Sequence, residues 1–503
     1  MIEIDGEHLT LEMVGQVAGG APATLRTAAR DRVQRSAEMV DRIVSAGQPV
    51  YGVSTGVGEL RTVSISPDQA ATLQRNILRS HAAGVGRPIA DPVVRAMMVL
   101  RANALACGHS GVRPLVIDTL LRMIAEGVHP VIPEQGSLGA SGDLAPLAHL
   151  GLVLIGEGEA AHRGARLPGG RAMRAAGIET IVLRAKEGLA LINGTQFMSA
   201  YGTLFLLDAE RLAALADIAG ALSLEALHGT DAAFAEHIQR ARPHPGQLES
   251  ARHVRELVRG SARVVREGYG RVQDAYSLRC IPQVHGAVRD ALRHLRTVLS
   301  IEINSATDNP LFFPDDGLVL SGGNFHGEPL ALALDYAATA VAELASISER
   351  RIERLVNPHL SGLPAFLTDN GGLRTGYMLA QYTAAALVSE NKVLTHPASV
   401  DSIPSSAGQE DHVSMGAYAA RKAMEVLRNT QQVLAIELVT ACQAIDFGAG
   451  ALGAGTGAAY REVRAAVPRL DDDRVLSEDF AAAVELVRSG KVLRTVAGRH
   501  AAL

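Results

Sequence analysis

The chain has 503 residues, 48 Lys and Arg against 53 Asp and Glu, a formal net charge of −5, and 47% hydrophobic residues. That length exceeds what one hydrophobic core usually serves, so two or more domains are expected, and the composition excludes a disordered chain. The slightly acidic balance gives no basic surface for nucleic acid.

Cys107, Cys280 and Cys442 are far apart and form no CxxC, which excludes a disulfide framework and a cysteine-rich zinc site and fits a reducing cytoplasm. The segment MIEIDGEHLTLEM lacks the charged-then-apolar order of a signal peptide. No apolar run reads as long and uncharged enough to span a membrane, so a cytoplasmic protein without membrane partners is expected. Trp is absent and aromatic residues are 4%, while Ala and Leu abound, which favours helices.

In chain order, residues 22–46 alternate charged and apolar positions at helical spacing. YGVSTGVG (51–58) holds three glycines and reads as a loop. Residues 68–83 and 91–107 read as helices. Residues 130–142, PVIPEQGSLGASG, are turn-rich, and Asp143 is placed to cap a following helix. Short strands are expected at 181–184 and within 311–320. Residues 203–227, 284–305, 328–356, 376–394 and 417–447 each carry apolar residues three and four apart, and their length suggests a bundle of long helices. A boundary near residue 200 would divide the chain into 1–200 and 201–503. Residues 460–503 carry no motif and read as a peripheral helical tail.

The segment GSLGASGDLAPLAH (136–149) carries the chemistry. It fails as a nucleophile elbow, because Gly142 falls one place early for G-x-S-x-G, and it has no Lys-Ser/Thr ending for a phosphate loop. Backbone chemistry offers a third reading. Attack of the Gly142 nitrogen on the Ala140 carbonyl closes a five-membered ring. Loss of water, and of the Ser141 hydroxyl as a second water, leaves 4-methylidene-imidazol-5-one (MIO), a strong electrophile. Glycine leaves the attacking nitrogen uncrowded and tolerates the bent backbone, serine supplies the leaving oxygen, and alanine keeps the acceptor carbonyl open.

GSLGASGDLAPLAH resembles the signature of the aromatic amino acid ammonia-lyase family, which includes histidine, phenylalanine and tyrosine ammonia-lyases and related aminomutases. The resemblance runs from Tyr51 to about Met415 through YGVSTGVG (51–58), RSHAAGVG (79–86), KEGLALINGTQ (186–196), RPHPGQ (242–247), VQDAYSLRCIPQV (272–284), SATDNPL (305–311), GGNFHGEP (322–329) and SIPSSAGQEDHVSMG (402–416). It implies a mainly-α, fumarase/aspartase-like bundle of long helices with a smaller N-terminal domain carrying the MIO loop. It also implies a homotetramer with sites drawn from more than one chain, and an MIO cofactor built from Ala140, Ser141 and Gly142 with no metal and no nucleotide.

By the same resemblance Tyr51 is the base that removes the β-proton, and Tyr276 is a second tyrosine on a loop that reaches a neighbouring subunit's site. Arg279 pairs with the substrate carboxylate, as a guanidinium fork suits. Gln273 and Asn193 line the site. Ser80-His81 and Glu410 match positions typical of the histidine-directed enzymes, as do Phe325 and Gln196, and a carboxylate can accept an imidazole N–H that a phenyl ring does not offer. L-Histidine giving trans-urocanate is therefore the expected reaction. The alternative is a tyrosine or phenylalanine ammonia-lyase, or a 2,3-aminomutase. Val57, Ile281 and His285 depart from the pattern, and His285 reads as a structural imidazole. Gly448, Gly450 and Gly453 form G-x-G-x-x-G, but the stretch before them reads as a helix rather than the strand a dinucleotide site needs.

Overall fold

The structure, a computed structural model, describes residues 1–265 and 272–498. It is mainly α, as expected. The longest helices are Gln196–Ala226, Ile281–Glu302, Glu328–Val356 and Gly416–Ile445. Helix Glu328–Val356 corrects one expectation. It is long and apolar enough to cross a membrane by length and composition, and 61% of its most apolar window is buried inside the protein, as in a core helix.

The chain forms two compact units. The first comprises Met1–Leu207, Leu295–Asp335 and Pro397–Arg421, and the second comprises Asp208–His294, Tyr336–His396 and Lys422–Leu503. A single division into 1–200 and 201–503 does not describe this interleaving. Four of the five cuts fall inside the four long helices, one in each, and the fifth follows His396 in a loop. At 1.5 Å per residue the 31-residue helix Gln196–Ala226 is about 46 Å long, more than the width of a small domain, so one compact unit does not contain it.

Most helices lie within a few residues of their expected bounds: Ala70–His81, Asp91–Ala106, Met378–Leu394 and three of the long helices above, whereas the helix expected over 203–227 begins already at Gln196. Three other readings differ. The helix expected from residue 22 begins at Thr27, because Ala23–Leu25 pairs as a parallel strand with Ile2–Ile4. Residues 181–184 form no strand, and 311–320 form the hairpin Leu311–Phe313 with Leu318–Leu320. Asp143 does precede helix Leu144–Leu154, but its side chain makes no capping bond and is turned to other partners described below. The tail holds helices Ala454–Ala466, Leu476–Arg488 and Lys491–Ala497.

In the first unit, helix Asp91–Ala106 is buried almost all round, with 13 of its 16 residues in the interior. Small sheets fix the loops between helices. Strand Val85–Pro88, which follows the helix ending at His81, pairs antiparallel with Pro133–Gln135, which leads into the Ala-Ser-Gly loop. Asn193, Gly194 and Thr195 interrupt the chain between helices Glu187–Ile192 and Gln196–Ala226, as an Asn-Gly pair favours. Beneath this break Lys186 Nζ meets both carboxylate oxygens of Asp308 at 2.8 Å, and both side chains are fully buried.

In the second unit, Arg351 pairs with Glu437, which also accepts Ser223 and Ser348. Asp217 takes Ser250, His253, His285 and Arg289. His285 is thus a buried partner of Asp217, in keeping with the structural reading.

Removing one member of a buried ion pair leaves the other uncompensated, which costs about 3–5 kcal/mol, whereas replacing both with apolar groups is far milder. Lys186→Met is expected to lower the unfolding free energy from urea titration by that order, and Lys186→Met with Asp308→Leu to recover most of the loss. Equal destabilisation by the single and double variants would contradict this account of the pair.

Candidate active site

Three segments distant in sequence close around the Ala140-Ser141-Gly142 loop. Ser414 Oγ donates to the Gly139 carbonyl at 2.9 Å, Met415 N to Leu138 O at 2.8 Å, and Gly327 N to Gly139 O at 3.2 Å. The 402–416 and 322–329 motifs are thereby held against the loop. From a third direction comes the 193–195 break, where Asp143 N donates to Gly194 O at 2.6 Å.

Gly142 has φ +73°, in the left-handed region. A Cβ there would lie 2.1 Å from the Gly194 oxygen and 2.7 Å from its nitrogen, so no other residue fits. Asp143 is fully buried, and its carboxylate accepts Ser137 Oγ at 2.9 Å and Met198 N at 3.0 Å. Burial pushes this carboxyl up to about 7, against the lowering effect of those bonds. Thr195 Oγ1 donates to Glu302, whose carboxyl burial also raises.

Ser141 Oγ donates to Glu410 Oε1 at 2.9 Å, and Ser405 Oγ donates to Glu410 Oε2 at 2.8 Å. The Tyr51 hydroxyl accepts the Gly58 N–H at 2.9 Å. Burial raises the Tyr51 phenol above its ordinary range. The Gly58 N–H opposes that rise, the Glu410 charge adds to it, and Arg61 counters it. His81 Nδ1 lies 2.8 Å from the Ile77 carbonyl. A carbonyl only accepts, so in the neutral ring Nδ1 carries the proton and Nε2 keeps its lone pair.

Two adjoining cavities share Tyr51, Gly58, Ser141, Asn193 and Glu410. One, of about 640 Å³, adds Ala140, Arg61, Asn309, Phe325, His326 and His412. The other, of about 680 Å³, is more apolar and adds Val57, Leu73, Ile77, Leu144, Leu189 and His81. Both volumes suit a small-molecule ligand. Among the described residues, no cluster of His, Cys, Asp and Glu is arranged to hold a metal ion. A third cavity, of about 720 Å³, lies at Gly448, Gly450 and Gly453, but helix Gly416–Ile445 precedes it, so the glycines lack the strand of a dinucleotide site.

Of the residues singled out in the sequence, Tyr51, His81, Ala140, Ser141, Gly142, Asn193, Phe325 and Glu410 all belong to the first unit and gather here. Gln273, Tyr276 and Arg279 belong to the second unit. There Tyr276 is 71% exposed, and the Arg279 guanidinium lies 4.5 Å from the Tyr276 ring centre. Ile281, fully buried, begins the helix that follows.

A family model described as aromatic amino acid lyase matches residues 9–465. The chain belongs to the aromatic amino acid lyase family. It is 58% identical to a histidine ammonia-lyase of Caldanaerobacter subterraneus subsp. tengcongensis, over 98% of this chain and 97% of that one. Among solved structures it is similar to histidine ammonia-lyase from Trypanosoma cruzi, with a TM-score of 0.93 and 45% identity, over 100% of this chain and 96% of that one. It is also similar to a tyrosine aminomutase from Streptomyces globisporus, with a TM-score of 0.94 and 41% identity, over 99% and 98% of the two chains. This family member is a carbon–nitrogen lyase with the mainly helical fold of those relatives.

Several groups in and beside this lyase's pocket are not announced by the sequence. Asp143 was visible only as a helix cap, and its burial comes from the Met198 and Ser137 contacts. Arg61 and Asn309 occupy positions where their residue types are ordinarily surface or turn groups. His326 and His412, whose rings stack with centroids 5.7 Å apart, lie inside the quoted motifs but have no spacing that announces a site.

The charges around Tyr51 act with opposite signs. Glu410→Gln removes a negative charge that raises the phenol, so the Tyr51 midpoint should fall. Arg61→Met removes a positive charge that lowers it, so the midpoint should rise. Ultraviolet titration of each variant against its Tyr51→Phe partner measures both, and shifts in the same direction would refute this electrostatic picture.

Proposed function

We propose that this lyase removes ammonia from L-histidine to give trans-urocanate, with an MIO group formed from Ala140, Ser141 and Gly142. The residues fit that group. Gly142 is held in a bend that admits no side chain, its neighbour Asp143 is pinned to Gly194, and the Ser141 hydroxyl is directed into the cavity lined by Tyr51 and Glu410. When formed, the ring supplies an electrophile that bonds to the substrate and eases the departure of ammonia.

The observation that carries the choice of histidine is the pair of acceptors on one cavity, His81 Nε2 and the Glu410 carboxylate. A neutral imidazole offers one N–H to such acceptors, and the imidazolium offers two. A phenyl ring does not, and burying it there leaves them unpaired, at about 1–3 kcal/mol for each buried group. Glu410 holds the Ser141 hydroxyl in the uncyclised chain. Loss of that hydroxyl frees Oε1 for the substrate ring. Phe325 packs against the imidazole, and Asn193 presents its amide to the amino acid head.

Tyr51 removes the β-proton. Its phenol is raised by burial, so it is a strong base once ionised and is ionised more readily when Glu410 shares its charge with a bound imidazole. Arg279 takes the substrate carboxylate in a two-bond fork. The turn bearing Gln273, Tyr276 and Arg279 serves the site of a neighbouring copy in a homotetramer, in keeping with the exposure of the Tyr276 ring. The protein works in the cytoplasm, and neither metal nor nucleotide takes part.

A tyrosine or phenylalanine ammonia-lyase or a 2,3-aminomutase is the second reading, favoured by the likeness to the Streptomyces aminomutase. Assaying purified protein with histidine, tyrosine and phenylalanine separates these outcomes by urocanate, coumarate or cinnamate absorbance, with chiral analysis for β-amino acids. Histidine is expected to be turned over fastest. Tyr51→Phe is expected to lose roughly 10²–10⁴-fold in kcat, the usual worth of a positioned base. Faster release of coumarate than of urocanate would overturn the histidine assignment.

A further inference from the structure

Arg101 lies on helix Asp91–Ala106 and is fully buried. Its Nη1 donates to the Asn193 carbonyl at 2.7 Å and to Gln196 Oε1 at 2.9 Å, and Gln196 in turn donates to Thr307 Oγ1 at 2.9 Å. Among the described residues no carboxylate forms an ion pair with it, and its Nε and Nη2 make no hydrogen bond. A buried cation hydrogen-bonded only to neutral oxygens is expensive even with the Asp308 charge acting on it through space, and an apolar residue of similar volume would serve the core better. The guanidinium is therefore explained by what it does to the groups it touches.

Those groups are the backbone of the 193–195 break. A Cβ on Gly194 would lie 2.4 Å from Arg101 Nη1 and 2.5 Å from Gln196 Oε1. On another side, the Gly194 carbonyl takes the Asp143 N–H at 2.6 Å and fills the space a Cβ on Gly142 would need. Gly194 is thus confined between the guanidinium and the bend that must cyclise.

We infer that Arg101 is a positioning residue for MIO formation, holding Gly194 against Gly142 so that the Gly142 nitrogen stays close to the Ala140 carbonyl. The inference rests on the proposed MIO reading. In the reaction it assists, a bond forms between the Gly142 nitrogen and the Ala140 carbonyl carbon. The Ala140 oxygen leaves as water with the Gly142 and Ser141 amide hydrogens, giving a C=N bond. The Ser141 hydroxyl then leaves as water with the Ser141 α-hydrogen, giving the exocyclic C=C bond. No oxidant or reductant is needed. Arg101 does not touch the reacting atoms. It removes the freedom of the backbone opposite them, and intramolecular condensation is sensitive to such positioning.

The test is the intact mass of the parent chain and of Arg101→Lys and Arg101→Met, followed from first purification onward, with circular dichroism to establish folding. The parent should lack two waters. Arg101→Lys keeps a donor for the Asn193 carbonyl but loses the planar fork. It should fold and lose water roughly ten- to a hundredfold more slowly, the worth of a weakened charge-assisted bond. Arg101→Met should fold and keep the full mass. If it does not fold, Gln196→Leu, which loosens the same guanidinium, is read in its place and should also dehydrate slowly. Folded variants that lose both waters as fast as the parent would overturn the role of Arg101 while leaving the MIO reading intact. A parent chain of full mass in the active protein would overturn both.

Discussion

The site depends on one close approach, that of the Gly142 bend to the Gly194 backbone. Asp143 N and Gly194 O are 2.6 Å apart, and there is no room for a side chain on Gly142. The carbonyl that makes this contact is available because the chain breaks between helices Glu187–Ile192 and Gln196–Ala226 and leaves its polar groups outside both helical ladders. Everything in the cavities is referenced to that junction. The Ser141 hydroxyl points to Glu410 because the bend fixes it, and the 402–416 segment carries Glu410 there because Ser414 and Met415 are tied to Gly139 and Leu138.

Charges inside this unit are placed where they shape the site, at a cost in desolvation. Lys186 and Asp308 neutralise each other beneath the break, and Lys186 also reaches the Asn309 carbonyl, which accepts from Asn193 as well. Among the described residues Arg101 makes no ion pair, and the same Asp308 charge offsets its burial only through space. Around Tyr51 the balance is finer. Burial and Glu410 hold the phenol protonated, while the Gly58 N–H and Arg61 favour its anion. In the proposed reaction, a ligand that engages Glu410 shifts that balance toward the base, which couples recognition of the imidazole to removal of the β-proton.

Much of this was readable in the sequence. The long helices were clear because apolar residues three and four apart persist over several turns, and helix Glu328–Val356 matches its expected bounds. The Ala-Ser-Gly chemistry could be argued from residue types, and the surrounding strings gave the family. Pairing was not readable. Ala23–Leu25 is too short to announce itself as a strand beside Ile2–Ile4, and residues 181–184 look like a strand but have no partner strand. The interleaved units were hidden because each long helix contributes residues to both units, and helical periodicity carries no mark of the division. Asp143 illustrates the limit. Its position before a helix suggests a cap, but Met198 N and Ser137 Oγ, distant or off the helix, claim its carboxylate.

The most direct measurement is tandem mass spectrometry of the peptide containing Ala140, Ser141 and Gly142, taken from purified protein while it is turning over substrate. A dehydrated, cyclised peptide confined to these residues is the result this account requires. An ordinary linear peptide in fully active protein would contradict it.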